Sequence, residues 1–505
     1  MEKFKRNLFF WSLVLIFFII TPIIVLEARG YRFDWHRGVF VYSGTISFKS
    51  NPQNIITTLN GNINKTVTPN RINNSFNISG LLPANYEIEI SAKDFYSWDK
   101  KIDVHSGISS EFWNVVLTRK NYTKTAYDAA GGIDKFFTSP KNRFIAFTVN
   151  SNQGLSVKDL DLNSKLVTKS FDLNGWKLLA EDKKENIEWS PDENYLSVPV
   201  EKNGTNEPTG NSPENDLQTA YYIIDLTQTQ AQNDALNLNT FFGKKDIHYV
   251  RWDPKEQGYL FFLEGTTLFR ANIKDATDIS QVASDVSAYD LAYNGVYYVQ
   301  SPNDLVFKTS LDGKTERTQI TNNFPDASNP AIERIIVYDE FRIAFLARDQ
   351  DLFIYNYGEN DKYFHSLGNH VLEMHFSNDG KKLLFYTNNE ISVYYTRNWT
   401  VQPIRQENDL NNITRYSENL KNVQWYKDYE HVIFSVGKYT KIIELDGRDH
   451  RNCLDLISTN LDSPFVIHNN GLEKLFFTDT KDDGTTILNS IVFPEPVPIL
   501  GIGGA

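Results

Sequence analysis

Apolar and polar positions alternate most clearly in the stretch Val371 to Arg397, VLEMHFSNDGKKLLFYTNNEISVYYTR. It divides into a run VLEMHFS, a turn at Asn378-Asp379-Gly380, a run KKLLFYT, a turn at Asn388-Asn389-Glu390 and a third run ISVYYTR. Short runs rich in aromatic and β-branched residues, bounded by residues that reverse the chain, predict three antiparallel strands. Gly adopts positive φ freely and Asn and Asp tolerate it, so each turn can close within a few residues. A single meander has two unpaired edges and an apolar face that it cannot bury, which predicts further copies.

The same turn followed by an apolar run recurs at Ser139, Ser190, Asp253, Tyr293, Tyr338, Ser377, Tyr426 and His468, at spacings of 39 to 63 residues. A period of this size, with several short strands per unit, predicts an all-β protein built around a β-propeller, covering residues 120–493. Eight anchors predict eight blades, and seven is the alternative if the copy at Tyr293 belongs to its neighbour. A ring of sheets must close to protect its edges, so the strand near Ile487 to Phe493 is expected to pair with one between Asn121 and Phe137. Ser190-Pro191-Asp192 and Asn378-Asp379-Gly380-Lys381, with closing turns at Leu311-Asp312-Gly313 and Leu445-Asp446-Gly447, resemble TolB-like and WD40-like propeller repeats. That resemblance implies the fold and leaves the function open, because propellers carry binding, scaffolding and enzymatic roles alike.

Ahead of the ring, Lys3, Lys5 and Arg6 precede an uncharged run of 19 residues, Leu8 to Leu26. As a helix that run spans roughly 28 Å, which predicts a single crossing of a bilayer with residues 1–7 inside. The following LEARGYRF lacks the paired small residues of a cleavage site, so the span is read as an uncleaved anchor. Arg29, Arg32 and Arg37 balance the basic head, and positive charge alone does not orient the helix. Long domains translocate largely regardless of charge, which places residues 27–505 outside. Residues 27–41 read as a connector whose Tyr31, Phe33 and Trp35 suit either the headgroup level or the first strand of the next unit.

Residues 42–119 carry six alternating runs separated by Asn, Gly, Pro and Asp, which predicts a small separate β-sandwich. Ser50-Asn51-Pro52, Leu59-Asn60-Gly61-Asn62, Thr68-Pro69, Leu82-Pro83-Ala84-Asn85-Tyr86, Phe95 with Trp98, and a closing strand ending at Leu117 resemble the PEGA domain. That family is a small β module associated with bacterial surfaces. Pro52-Gln53-Asn54-Ile55 stands in place of the motif that names it, and Asn85 and Asp94 stand where it favours Gly. Both are expected in left-handed backbone, which Asn and Asp tolerate.

The formal net charge of −12 argues against nucleic acid as a partner of the folded part. The single cysteine, Cys453, excludes an intrachain disulfide and any multi-cysteine metal site. His365, His370 and His375, spaced by five, alternate faces on a strand and read as loop and surface histidines rather than a metal array. Asp479 to Gly484, DTKDDG, lacks the ligand spacing of a calcium loop and reads as a hairpin turn. No catalytic, cofactor-binding or metal-binding residue is assigned. Glu201 to Ala220 is polar and rich in Asn, Gly and Pro, which predicts a surface loop, and residues 494–505 form a tail of prolines and glycines around an apolar patch.

The expected function is a non-enzymatic, membrane-anchored envelope protein that presents its two β units to another protein or a cell-wall polymer. A glycan-acting enzyme with acidic residues on a propeller face, and an accessory or sensor subunit of a membrane complex, are the alternatives. Protease added to spheroplasts should digest nearly the whole chain, and Edman sequencing of the intact protein should start at Met1 or Glu2. A start near Arg29 would show a cleaved leader instead.

Overall fold

The computed structural model describes residues 2–496 except 61, 65–68, 71–72, 128–131, 150–153, 160–168, 173–175, 180–186, 203–218, 228–234, 323–330 and 360–361. The predicted surface loop at 201–220 and the tail at 494–505 therefore lie largely outside the described residues.

Helix α1 (Glu2–Ala28) takes in the basic head and the whole uncharged run, with Pro22 inside it. Its length and composition suffice to cross a membrane once, a property that an N-terminal signal sequence shares. The connector is not a linker. Strands β1 (Tyr31–Asp34) and β2 (Val39–Tyr42) pair as a hairpin that is a sheet of its own and not the first strand of the sandwich. The Asp34 carboxylate holds the turn by accepting from the backbone N–H of His36 (2.9 Å) and Arg37 (3.2 Å).

Seven strands follow: β3 (Gly44–Asn51), β4 (Ile56–Leu59), β5 (Asn62–Asn64), β6 (Phe76–Leu81), β7 (Ala84–Ser91), β8 (Trp98–Val104) and β9 (Ser109–Val116). They form two sheets, ordered β6-β3-β9 and β5-β4-β7-β8, with β3 and β9 parallel. Alternating positions of the facing strands, among them Ile46, Phe48, Ile88, Ile90, Ile102 and Phe112, fill one core, in which Phe48 stacks on Phe76. Gly44 sits where a Cβ would meet the Val104 side chain at 2.4 Å, so the first strand can pack that close only without one. Asp94 is left-handed as expected, with φ 67. Asn85 is not: it pairs with Asp103 in the β7–β8 ladder and donates to its carboxylate at 3.0 Å, and ladder pairing holds it in extended backbone.

Among the described residues, the rest of the chain forms eight sheets, blades 1 to 8, over residues 135–172, 176–237, 247–283, 286–319, 332–368, 373–415, 420–458 and 466–492. Ser139, Asp253, Tyr293, Ser377 and Tyr426 fall in the turn after the first strand of their blades, Tyr338 and His468 near the end of that strand, and Ser190 in the turn between Glu188–Trp189 and Tyr195–Lys202, so the copy at Tyr293 belongs to a blade of its own. Two of the turns share a hydrogen-bond scheme. In blade 6 the Ser377 hydroxyl donates to Asp379 (2.7 Å) and accepts from the Lys382 N–H (3.0 Å), and Ser190 repeats this in blade 2 with Asp192 and Tyr195. The left-handed position of the turn is Gly380 in blade 6, where a Cβ would strike the Tyr338 ring of blade 5 at 2.4 Å.

Blade 8 takes its outermost strand from the other end of the ring. Strand β10 (Thr125–Tyr127) pairs antiparallel with Thr486–Val492, bringing Thr125 opposite Ser490 and Tyr127 opposite Leu488. Apolar clusters then lie between every pair of adjacent blades. One of them joins Phe136 and Phe147 of blade 1 to Phe476 and Leu488 of blade 8.

The sandwich is joined to blade 7 through a buried polar contact. The Lys100 ammonium, fully buried, meets the Glu444 carboxylate at 2.8 Å and donates to the carbonyls of Asp446 and Arg448 at 2.9 Å and to that of His450. Glu444 also accepts from the Trp98 indole (2.9 Å) and from the backbone N–H of Asn452 (2.7 Å). Beside it, the Arg448 guanidinium lies 4.0 Å from the Phe112 ring centre and donates to the Glu111 carbonyl at 2.6 Å. A second contact ties Arg119 and Asn51 to Glu495.

Removing one partner of a buried ion pair strands the other charge. Lys100→Ala should therefore lower stability by about 3–5 kcal/mol in denaturant unfolding. The double change Lys100→Met with Glu444→Gln should recover most of that loss. Equal stability of Lys100→Ala and the native chain would show that the joint carries no load.

Candidate functional site at the channel mouth

The short strand Glu188–Trp189 of blade 2 and the first strands of blades 3 to 7 bring side chains from distant parts of the sequence together. β-bulges re-aim side chains and interrupt the ladder. Register shifts occur here between His248 and Arg251, between Val286 and Ala288, and between Ile332 and Arg334. Tyr249 in the first of these has φ 53, and its carbonyl accepts from the Tyr289 hydroxyl.

The result is a chain of polar contacts running from blade to blade. Arg251 of blade 3 donates to Glu188 of blade 2 (3.1 Å) and to Asp290 of blade 4 (2.9 Å). The other oxygen of Asp290 accepts from the Val337 N–H of blade 5 at 2.8 Å. Arg334 of blade 5 contacts both oxygens of Glu373 in blade 6, at 2.6 and 2.7 Å. From blade 7 the Trp425 indole donates to the His375 carbonyl at 3.0 Å. Some of these groups border an open cavity of about 380 Å3, lined by Arg251, Asp290, Arg334, Tyr338, His375 and Phe376, among others, with Glu188 and Glu373 outside the lining.

Enclosure within the ring shifts the titrations here. Burial pushes the Glu188 carboxyl up against the opposing pull of Arg251. Burial alone would do the same to Glu373, but the Arg334 guanidinium, the His375 ring and the hydrogen bonds to Arg334 and the Met374 N–H together hold that carboxyl below its ordinary range. Burial lowers the His375 imidazole, which is therefore neutral at pH 7, and it pushes the Tyr249 phenol up to about 12. Arg251 and Glu188 keep 33% and 28% of their side-chain surface open to the channel, whose water screens the pair.

Of the three histidines singled out in the sequence, only His370 lies in an exposed bend. His365 is half-buried in the last strand of blade 5, its Nε2 facing the Lys362 carbonyl at 2.9 Å. His375 is not a surface residue but part of the cavity wall, because blade 6 turns its first strand toward the channel. The three do not converge, and among the described residues no group of three or more His, Cys, Asp or Glu side chains is placed to hold a metal ion. Asp479 to Gly484 spans the end of one strand of blade 8 and the loop to the next, and Asp479 accepts from Lys124 (3.1 Å) and from the Asn460 N–H (2.8 Å). The sequence reading passed over Glu188, Arg251, Asp290, Arg334 and Glu373. Each is a charged residue two to four positions before its turn anchor, in a run that is otherwise apolar, and that recurrence was the available signal.

This architecture defines a β-propeller protein. No family model and no curated protein sequence matches the chain. Solved structures resemble it at low identity. Dipeptidyl peptidase 4 of Porphyromonas gingivalis is 10% identical with a TM-score of 0.41, covering 72% of this chain and 58% of its own. A eukaryotic initiation factor is 10% identical with a TM-score of 0.42, covering 70% and 83%. The Cps50 (Swd1) propeller domain of Myceliophteria thermophila is 11% identical with a TM-score of 0.38, covering 74% and 99%. The chain thus spans less than two thirds of the length of the peptidase.

His375 supplies a pH test of this geometry. Its folded pKa lies below the unfolded value of about 6.5, so below that pH the unfolded chain takes up a proton that the folded chain refuses. Acidification from pH 7 to about 5 should thus destabilise the native chain more than a His375→Gln variant. Parallel pH–stability curves would place the imidazole in open solvent.

Proposed function

We propose that the chain is a non-enzymatic, membrane-anchored binding protein of a bacterial envelope. In this reading α1 is the anchor, residues 27–505 lie outside the membrane, and the PEGA-like sandwich and the propeller present one continuous surface to a protein or a cell-wall polymer. The observation that carries it is the state of the acids in the channel. Glu188 and Asp290 share Arg251, and Glu373 is held by Arg334. A glycosidase needs two carboxyl groups free to flank the scissile bond, whereas Glu188, Asp290 and Glu373 are each paired with a guanidinium. The buried joint between the sandwich and blade 7 supports the same reading, since it gives the two units a fixed relation in which both can face one partner.

Crosslinking in intact cells followed by purification from membranes should recover a defined partner. The purified chain should release no reducing ends from cell-wall polymer. Release that an Asp290→Asn variant abolishes would overturn the reading in favour of a glycan-acting enzyme.

A further inference from the structure

The cavity at the channel mouth has features that select among ligand classes, and we infer that it binds an uncharged, hydroxyl-rich molecule of the class of a neutral saccharide unit. Its volume of about 380 Å3 lies at the lower end of the range for small-molecule sites, roughly 300–1,000 Å3. The two guanidiniums that line it are already paired, Arg251 with Glu188 and with Asp290 of the lining, and Arg334 with Glu373, which like Glu188 lies outside the lining. A phosphate or carboxylate ligand would have to displace one of those carboxylates while facing the others. A cationic ligand would face both guanidiniums, and either costs desolvation without a matching partner.

A neutral ligand that both donates and accepts fits what the ion pairs leave over. Arg334 reaches Glu373 through Nη1 alone, so its guanidinium has donors beyond its ion pair, whereas Arg251 spends Nε and Nη1 on its ion pairs and also faces the Tyr249 hydroxyl. The neutral His375 imidazole, part of the cavity lining, has one donor and one acceptor nitrogen. Tyr338 and Phe376, with ring centres 5.9 Å apart, supply an apolar wall for the C–H face of a sugar ring. Tyr338 is held in place by its hydroxyl, which donates to the Asn378 carbonyl at 3.2 Å, and by Arg342, 4.3 Å from its ring centre. The inference stands apart from the choice of macromolecular partner, which would bind the outer surface.

The test is saturation-transfer NMR on the full chain, held in a zwitterionic detergent without a sugar headgroup. The probes are glucose, galactose, N-acetylglucosamine, cellobiose and chitobiose. At least one should give transfer signals that an equal concentration of inorganic phosphate does not displace. Arg334→Lys keeps the charge beside Glu373 but loses the planar fork, and should weaken binding about tenfold. Tyr338→Ala tests the apolar wall independently, and melting curves establish that both variants fold. The inference is overturned if no probe binds, if phosphate competes, or if a bound sugar is indifferent to both substitutions. Recovery of a crosslinked partner by a chain that binds no sugar would sink this inference alone.

Discussion

Closure of the ring is the constraint on which the rest of the propeller depends. Eight sheets stand face to face, and each is buried on both sides only because it has a neighbour on both sides. The cluster between blades 8 and 1, with Phe136 at its centre, exists only if β10 reaches across to Thr486–Val492. An open row of the same sheets would leave two apolar faces and two strand edges in water. The Ser–Asp turns and the glycine beneath Tyr338 work within this limit, setting how closely one blade can approach the next.

The centre of such a ring poses the opposite problem. Backbones converge there, little apolar surface can be buried, and polar groups must satisfy one another. The contacts from Glu188 through Arg251 and Asp290 to Val337, and from Arg334 to Glu373, do so across blade boundaries. Their arrangement also determines the character of the cavity: the two guanidiniums that line it are each tied to a carboxylate. The joint with the sandwich follows the same rule. Lys100 is tolerable in a buried position because a carboxylate and three carbonyls surround its ammonium.

The sequence revealed whatever is local. Turns with Asn, Asp, Ser and Gly marked all eight blades, and alternation marked six of the seven sandwich strands. Outer strands were harder to read, because Asp275–Ala283 is exposed along most of its length and has no apolar rhythm. Some turns were masked because Glu193 and Tyr429 occupy left-handed positions where Gly or Asn would announce them. The parallel pairing of β3 with β9 and the burial of Lys100 depend on contacts far apart in sequence. The channel residues were hidden for the same reason: Arg251 finds Asp290 39 residues away and Glu188 63 away, and only the ring brings them together.

The order in which the chain is made matters because of where its closing strand lies. Strand β10 is synthesised before blade 1, and its partner follows roughly 360 residues later. At translation rates of about 5–20 residues per second, that is a wait of about 20–70 s. Throughout it the growing protein is an open arc, with one edge strand unclaimed and the apolar face of blade 1 uncovered. The vulnerability of a chain with this plan to misassembly is concentrated in that interval rather than in the finished ring.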